Sequence, residues 1–204
     1  MRRVFLVILV LCAAGSLFPQ ADKPLQELND ILKNGQAALT ARGNGGSSGM
    51  VINGYLRNTT SAEIWLDTFI NRGIYLINSG AGQNMLATRI YLRGGQYYSD
   101  GSREFIILPA REDVEVSFIA FCANLERSNP SSEESFSSDA MPAELQAMAA
   151  KINRYMDEHP SGENQSTVAQ LALWRSQGKT RNEIGEHFRF TQSDWDSAGL
   201  ILAY

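Results

Sequence analysis

Cysteine is scarce in this chain: its 204 residues hold two, Cys12 and Cys122. Cys12 falls inside an apolar leader, so a processed chain keeps one thiol and forms no internal disulfide. Histidine is as rare. His159 and His187 lack metal-ligand spacing, which excludes a zinc site, and no cofactor is expected. Basic charge is also short, with 18 Lys and Arg against 22 Asp and Glu, a net charge of −4. Losing Arg2 and Arg3 with the leader takes it to −6, which excludes binding along a phosphate backbone, where clustered cations are needed. Only one long apolar run is present, residues 4–14, and it is too short to span a bilayer.

That run belongs to a recognisable pattern. Arg2 and Arg3 precede it, and Ala13, Ala14, Gly15, Ser16 and Ala21 supply small residues for cleavage. Residues 1–21 are expected to be a signal peptide, and the mature chain to be secreted, periplasmic or on the cell surface. No membrane span is expected after cleavage.

The mature chain changes period twice. Leu25, Leu28, Ile31, Leu32 and Leu39 follow helical spacing after Pro24, predicting an N-terminal helix over 22–41. Residues 42–49, RGNGGSSG, read as a flexible linker. From 50 to 126 short strands follow one another: Met50–Arg57, Glu63–Phe69, Gly73–Asn78, Met85–Leu92, Glu104–Leu108 and Val114–Ala123. About six strands at this spacing predict an antiparallel β-sandwich, Ig-like with Greek-key connections. Residues 127–204 are expected to be a connector too polar to pack (127–139) and then helices covering the sandwich. The helices should run from Pro142 to Glu158, from Val168 to Ser176, from a capping box at Thr180 and Glu183, and from about Thr191 to Leu202. The fold class is thus mixed α and β: helix, sandwich, helical subdomain.

Chemistry concentrates on two residues. Cys122 ends the last strand, directly after Phe121, and Gln170 sits in Val168-Ala169-Gln170-Leu171-Ala172-Leu173-Trp174 on a helix. A strand cysteine after an aromatic, then a helical Gln-x-Ala-x-Trp, resembles the signature of bacterial thioester domains of the TQxA type. Ala169 stands where that family usually has threonine. The resemblance implies that the Cys122 sulfur and the Gln170 carbonyl condense, losing ammonia, into an internal thioester that captures an amine, such as a lysine of a partner protein. Phe121 and Trp174 would shield the bond; Trp174 lies one helical turn beyond Gln170 and shares its face.

The remaining signals point to packing. Tyr97 and Tyr98, in the glycine-rich stretch 93–101, are candidate loop contacts, or tyrosines folded back on their own sheet. No protease signature surrounds Cys122 to recruit either histidine, and Ser79-Gly80-Ala81-Gly82 opens a strand rather than a phosphate-binding helix. The sequence therefore predicts no conventional enzyme. It predicts a secreted or surface adhesion domain, with covalent capture through Cys122 and Gln170. The alternative is a non-covalent envelope-associated structural or assembly protein in which Cys122 is a core residue.

Overall fold

The computed structural model describes residues 23–99, 101, 103–160 and 164–204, so the leader, Cys12 and the cleavage positions lie outside the described residues. The chain enters through a short helix α1 (Leu28–Lys33) and a strand β1 (Ala37–Gly43). Six further strands precede the last core strand: β2 (Ser48–Asn58), β3 (Ile64–Asp67), β4 (Phe69–Asn78), β5 (Met85–Leu92), β6 (Tyr98–Ser99) and β7 (Glu104–Leu108). Then come β8 (Asp113–Cys122) and β9 (Ser135–Asp139), followed by α2 (Ala143–Glu158), α3 (Gln165–Ser176), α4 (Arg181–His187) and α5 (Gln192–Ala203).

The expected sandwich is corrected here: the main sheet is a closed barrel, ordered β1-β2-β8-β5-β4-β9, with β3, β7 and β6 forming a separate three-stranded sheet. Closure comes from β9, which pairs antiparallel with β1 at Ala41↔Phe136 and with β4 from Tyr75↔Asp139 to Asn78↔Phe136. A sandwich would leave those edges open; here they are bonded, so the sheet has no edge. Register shifts at Met50/Ile52, Phe69/Ile74 and Ala87/Arg89 bend β2, β4 and β5, as bulges do where a sheet must curve.

Three expectations fail around the strands that close the barrel. The predicted helix over 22–41 is helical only from 28 to 33, because Gly35 at φ +68 turns the chain out of the helix. Its second half, Ala37–Gly43, is a strand whose buried residues are small: Ala37, Ala41 and Gly43. The predicted linker 42–49 is the tight connection between β1 and β2, not a spacer. The polar connector 127–139 likewise ends as β9; only Phe136 of that strand is buried, and backbone hydrogen bonds place the rest.

The helices cover one side of the barrel. Along α2, Leu145, Met148, Ala149, Ile152 and Tyr155 are buried against β4 and β5, the stripe its period requires. Arg89 of β5 bonds Asp157 of α2 at 2.5 Å and lies over the Phe69 ring. α3 is buried from Val168 to Trp174, between α5 and the end of β8. Thr180–Glu183 and Thr191–Asp194 form capping boxes that start α4 and α5. Among the described residues, no helix is long and apolar enough to cross a membrane.

Candidate functional site

The end of β8 and the middle of α3 meet at one residue pair. Gln170 and Cys122 are both 0 % exposed. The Cys122 backbone N–H donates to Gln170 Oε1 at 2.7 Å, and Gln170 Nε2 donates to the Cys122 carbonyl at 2.8 Å. A strand residue's N–H and C=O point the same way, so the carboxamide fits against both, as a neighbouring strand would. This satisfies the buried Cys122 carbonyl and both polar atoms of the glutamine, and gives the Cys122 N–H an acceptor.

The register around the pair is fixed by further bonds. Ser47, in the turn before β2, accepts from the same Cys122 N–H at 3.1 Å. Ala123 N–H donates to the Asn84 carbonyl at 2.8 Å, and Gln177 Nε2 donates to the Ala123 carbonyl at 3.0 Å. Gln170 and Gln177 are two helical turns apart and share a face. Together they stitch α3 to the exit of β8.

The two Gln170 bonds engage the Cys122 backbone and not its sulfur. The sulfur's polar neighbour is Met85 Sδ at 3.6 Å, and Met85 is the cross-strand partner of Cys122. Burial pushes the Cys122 thiol up to about 12, so at neutral pH it is a protonated thiol and a poor nucleophile. It is the one free cysteine among the described residues.

Phe121 precedes the sulfur and is 0 % exposed. Adjacent strand side chains point to opposite faces, so burial of both Phe121 and Cys122 means both faces of the strand end are covered. Trp174 is 2 % exposed and meets the Phe188 ring edge-on at 5.3 Å. Each of the four residues named from sequence is buried, with Phe121 on the opposite face of β8 from the Cys122 sulfur and Trp174 packed on Phe188. Tyr97 and Tyr98 do not join them. The Tyr97 hydroxyl accepts from Leu92 N–H at 2.7 Å and lies 3.2 Å from the Leu92 carbonyl; Tyr98 stacks on Phe105 at 5.5 Å. Both tyrosines fold back onto their own sheets.

The sequence did not disclose the backbone partners. Ser47 lies in a Gly/Ser stretch without periodicity, and Met85 acts through strand register. Only Gln177 carried a signal, its spacing of seven from Gln170. Among the described residues, no group of three His, Cys, Asp or Glu side chains is placed to hold a metal. His159 stacks on Tyr155 at 4.3 Å, with Nδ1 2.9 Å from the Tyr155 carbonyl, at the end of α2.

Compared with known proteins, the chain matches no family model, no curated sequence and no solved structure.

Proposed function

We propose that the chain is an exported binding domain in which Cys122 and Gln170 close into an internal thioester that couples to an amine on a partner surface. The observation that carries this reading is the paired hydrogen bonding of the Gln170 carboxamide to the residue that bears the sulfur. Docking the carboxamide on the backbone of the residue that carries the thiol replaces a bimolecular encounter, one of the obstacles for so weak an electrophile. The Cys122 N–H at Oε1 withdraws electron density from the carbonyl and stabilises negative charge as sulfur adds.

The step balances without an outside reagent. The S–Cδ bond forms, the Cδ–Nε2 bond breaks, and the thiol proton leaves with Nε2 as ammonia. An incoming primary amine then attacks Cδ, forms an amide and returns the proton and the electron pair to sulfur as a free thiol. The reaction runs once per molecule, so the protein is a coupling device and not a turnover enzyme. Full burial of the pair supports survival of the bond, because water is kept from it.

The same burial favours a second reading, in which the domain serves an envelope structure or assembly without covalent chemistry. Gln170 is then a clamp that completes the ladder at Cys122. Methylamine separates the two. Incubation should add one methylamine to the intact protein and expose one alkylatable thiol, and Cys122→Ala should take up none; a wild-type chain unchanged by methylamine favours the clamp.

A further inference from the structure

The helical end of the molecule carries basic charge that its acids leave unanswered. Acids outnumber bases in the chain, yet Arg175, Arg181 and Arg189 form no ion pair among the described residues. Arg175 lies over the Trp195 ring at 4.2 Å and donates to the Trp195 carbonyl at 2.6 Å. Arg181 lies 5.7 Å from the Trp195 ring and 5.8 Å from the Phe190 ring, and its Nη1 donates to Gln192 Oε1. The guanidinium of Arg181 is thus held in place while most of its N–H donors stay unused.

Arg181 and Arg189 line one shallow groove, together with Asn182, Gly185, Glu186 and Phe190. Gly185 lies one turn beyond Arg181 on α4 and shares its face. A glycine inside a helix destabilises it relative to alanine. A Cβ on Gly185 would meet no atom of the chain within 4 Å. Packing inside the protein therefore does not require the glycine, and the bare backbone there is open to a group from outside. Glu186 narrows the chemistry. It forms no ion pair among the described residues and would repel a ligand that offers carboxylates alone.

We propose that this groove binds a polysaccharide of uronic acid units. A sugar ring lies against the Gly185 backbone, its carboxylate pairs with Arg181 or Arg189, and its hydroxyls bond Glu186 and Asn182. A shallow groove suits a polymer chain, and two arginines in an acidic chain suit an anion less dense than a phosphate backbone. A peptide whose side chains supply only carboxylates meets Glu186 without a hydroxyl to offer it. The proposal stands or falls apart from the Cys122–Gln170 bond.

Isothermal titration calorimetry of the full mature chain with a galacturonic acid oligomer tests this. A galactose oligomer of the same linkage and length and an oligoglutamate serve as comparisons. The galacturonate oligomer should bind, tightest at low salt, and both comparisons at least tenfold more weakly. Arg189→Gln changes an exposed side chain and should weaken binding at least tenfold. Gly185→Leu should do the same with a urea midpoint at or above wild type, because leucine is the better helix former. No heat with the galacturonate oligomer, or equal affinity for the galactose oligomer, would overturn the proposal. Oligoglutamate binding as tightly would make the face a peptide site and overturn it as well. Wild-type affinity in either variant would remove this groove as the site.

Discussion

Gln170 is asked to do two things, and they separate by substitution. As a clamp, it pairs with the N–H and C=O of Cys122; as a reactant, it offers a carbon to sulfur. Measured against the uncyclised chain, which still has Nε2, Gln170→Leu removes both, leaving the Cys122 carbonyl without its 2.8 Å donor, while the N–H retains Ser47. The expected loss is about 1–3 kcal/mol, the cost of an unsatisfied buried acceptor, read by urea denaturation. Cys122→Ala keeps the backbone clamp and deletes only the sulfur against Met85. Relative to the uncyclised chain it should cost on the order of 1 kcal/mol, a small core cavity, while abolishing all coupling to amines. If Cys122→Ala proved as destabilising as Gln170→Leu, the sulfur would hold a structural role that its one close polar contact does not explain. Glu134 sets a different residue-level expectation. It accepts from Ser131 N–H at 2.8 Å, Gly82 N–H at 3.0 Å and Asn78 Nδ2 at 3.1 Å, and the Ser131 bond foremost holds its carboxyl below the usual carboxylate range. The folded chain therefore binds this proton less tightly than the unfolded one. Its stabilisation is complete above the ordinary carboxylate pKa and is lost as pH falls through the lower folded value. Glu134→Gln should flatten the acid limb of the stability–pH curve in that window, and an unchanged limb would remove the carboxylate from the account.

At the level of elements, barrel closure rests on strands with little hydrophobic signal. β1 pairs with β2 along its whole length, and Gly54 opposite Ala41 is where the two backbones crowd: a Cβ there would lie 2.2 Å from the Thr40 carbonyl oxygen. Gly54→Ala should cost about 1–3 kcal/mol, as overpacking does, and should loosen β1 first. Amide hydrogen exchange at Ala38 and Thr40, whose N–H groups face β2, checks this; wild-type protection there would show that the pair absorbs the methyl group. The same strands explain what could be read in advance. Strands β2, β5, β7 and β8 were legible because large apolar side chains alternate or cluster in them. β1 was hidden because its inward residues are Ala37, Ala41 and Gly43, while Leu25 to Leu39 imitate a helical stripe. The stop signal Asn34-Gly35 lay within that stripe. β9 was hidden because Ser135–Asp139 is held by main-chain bonds, which carry no residue preference. Without β1 and β9, no reading of the sequence could close the barrel, and an open pair of sheets was the natural inference. The helices were clearer, since capping boxes at Thr180 and Thr191 are local chemistry. At the site, side-chain identity was readable at Cys122 and Gln170, whereas Ser47, Asn84 and Gln177 act on backbone atoms through register that emerges only on folding.

Across the whole molecule, a closed barrel and the helices packed on it bury the one thiol of the described residues, in a chain with an acidic balance. Under the proposed export, an unpaired cysteine must be kept from oxidation, and burial or acylation each does so. The central claim is that the sulfur is acylated by Gln170. Intact mass of the mature protein after denaturing alkylation, with methylamine excluded, tests it in one measurement. Acylation gives a chain lighter by one ammonia than its sequence, with Cys122 unalkylated. Full sequence mass plus one alkyl group on Cys122 would contradict it and leave Gln170 as a clamp at the end of β8.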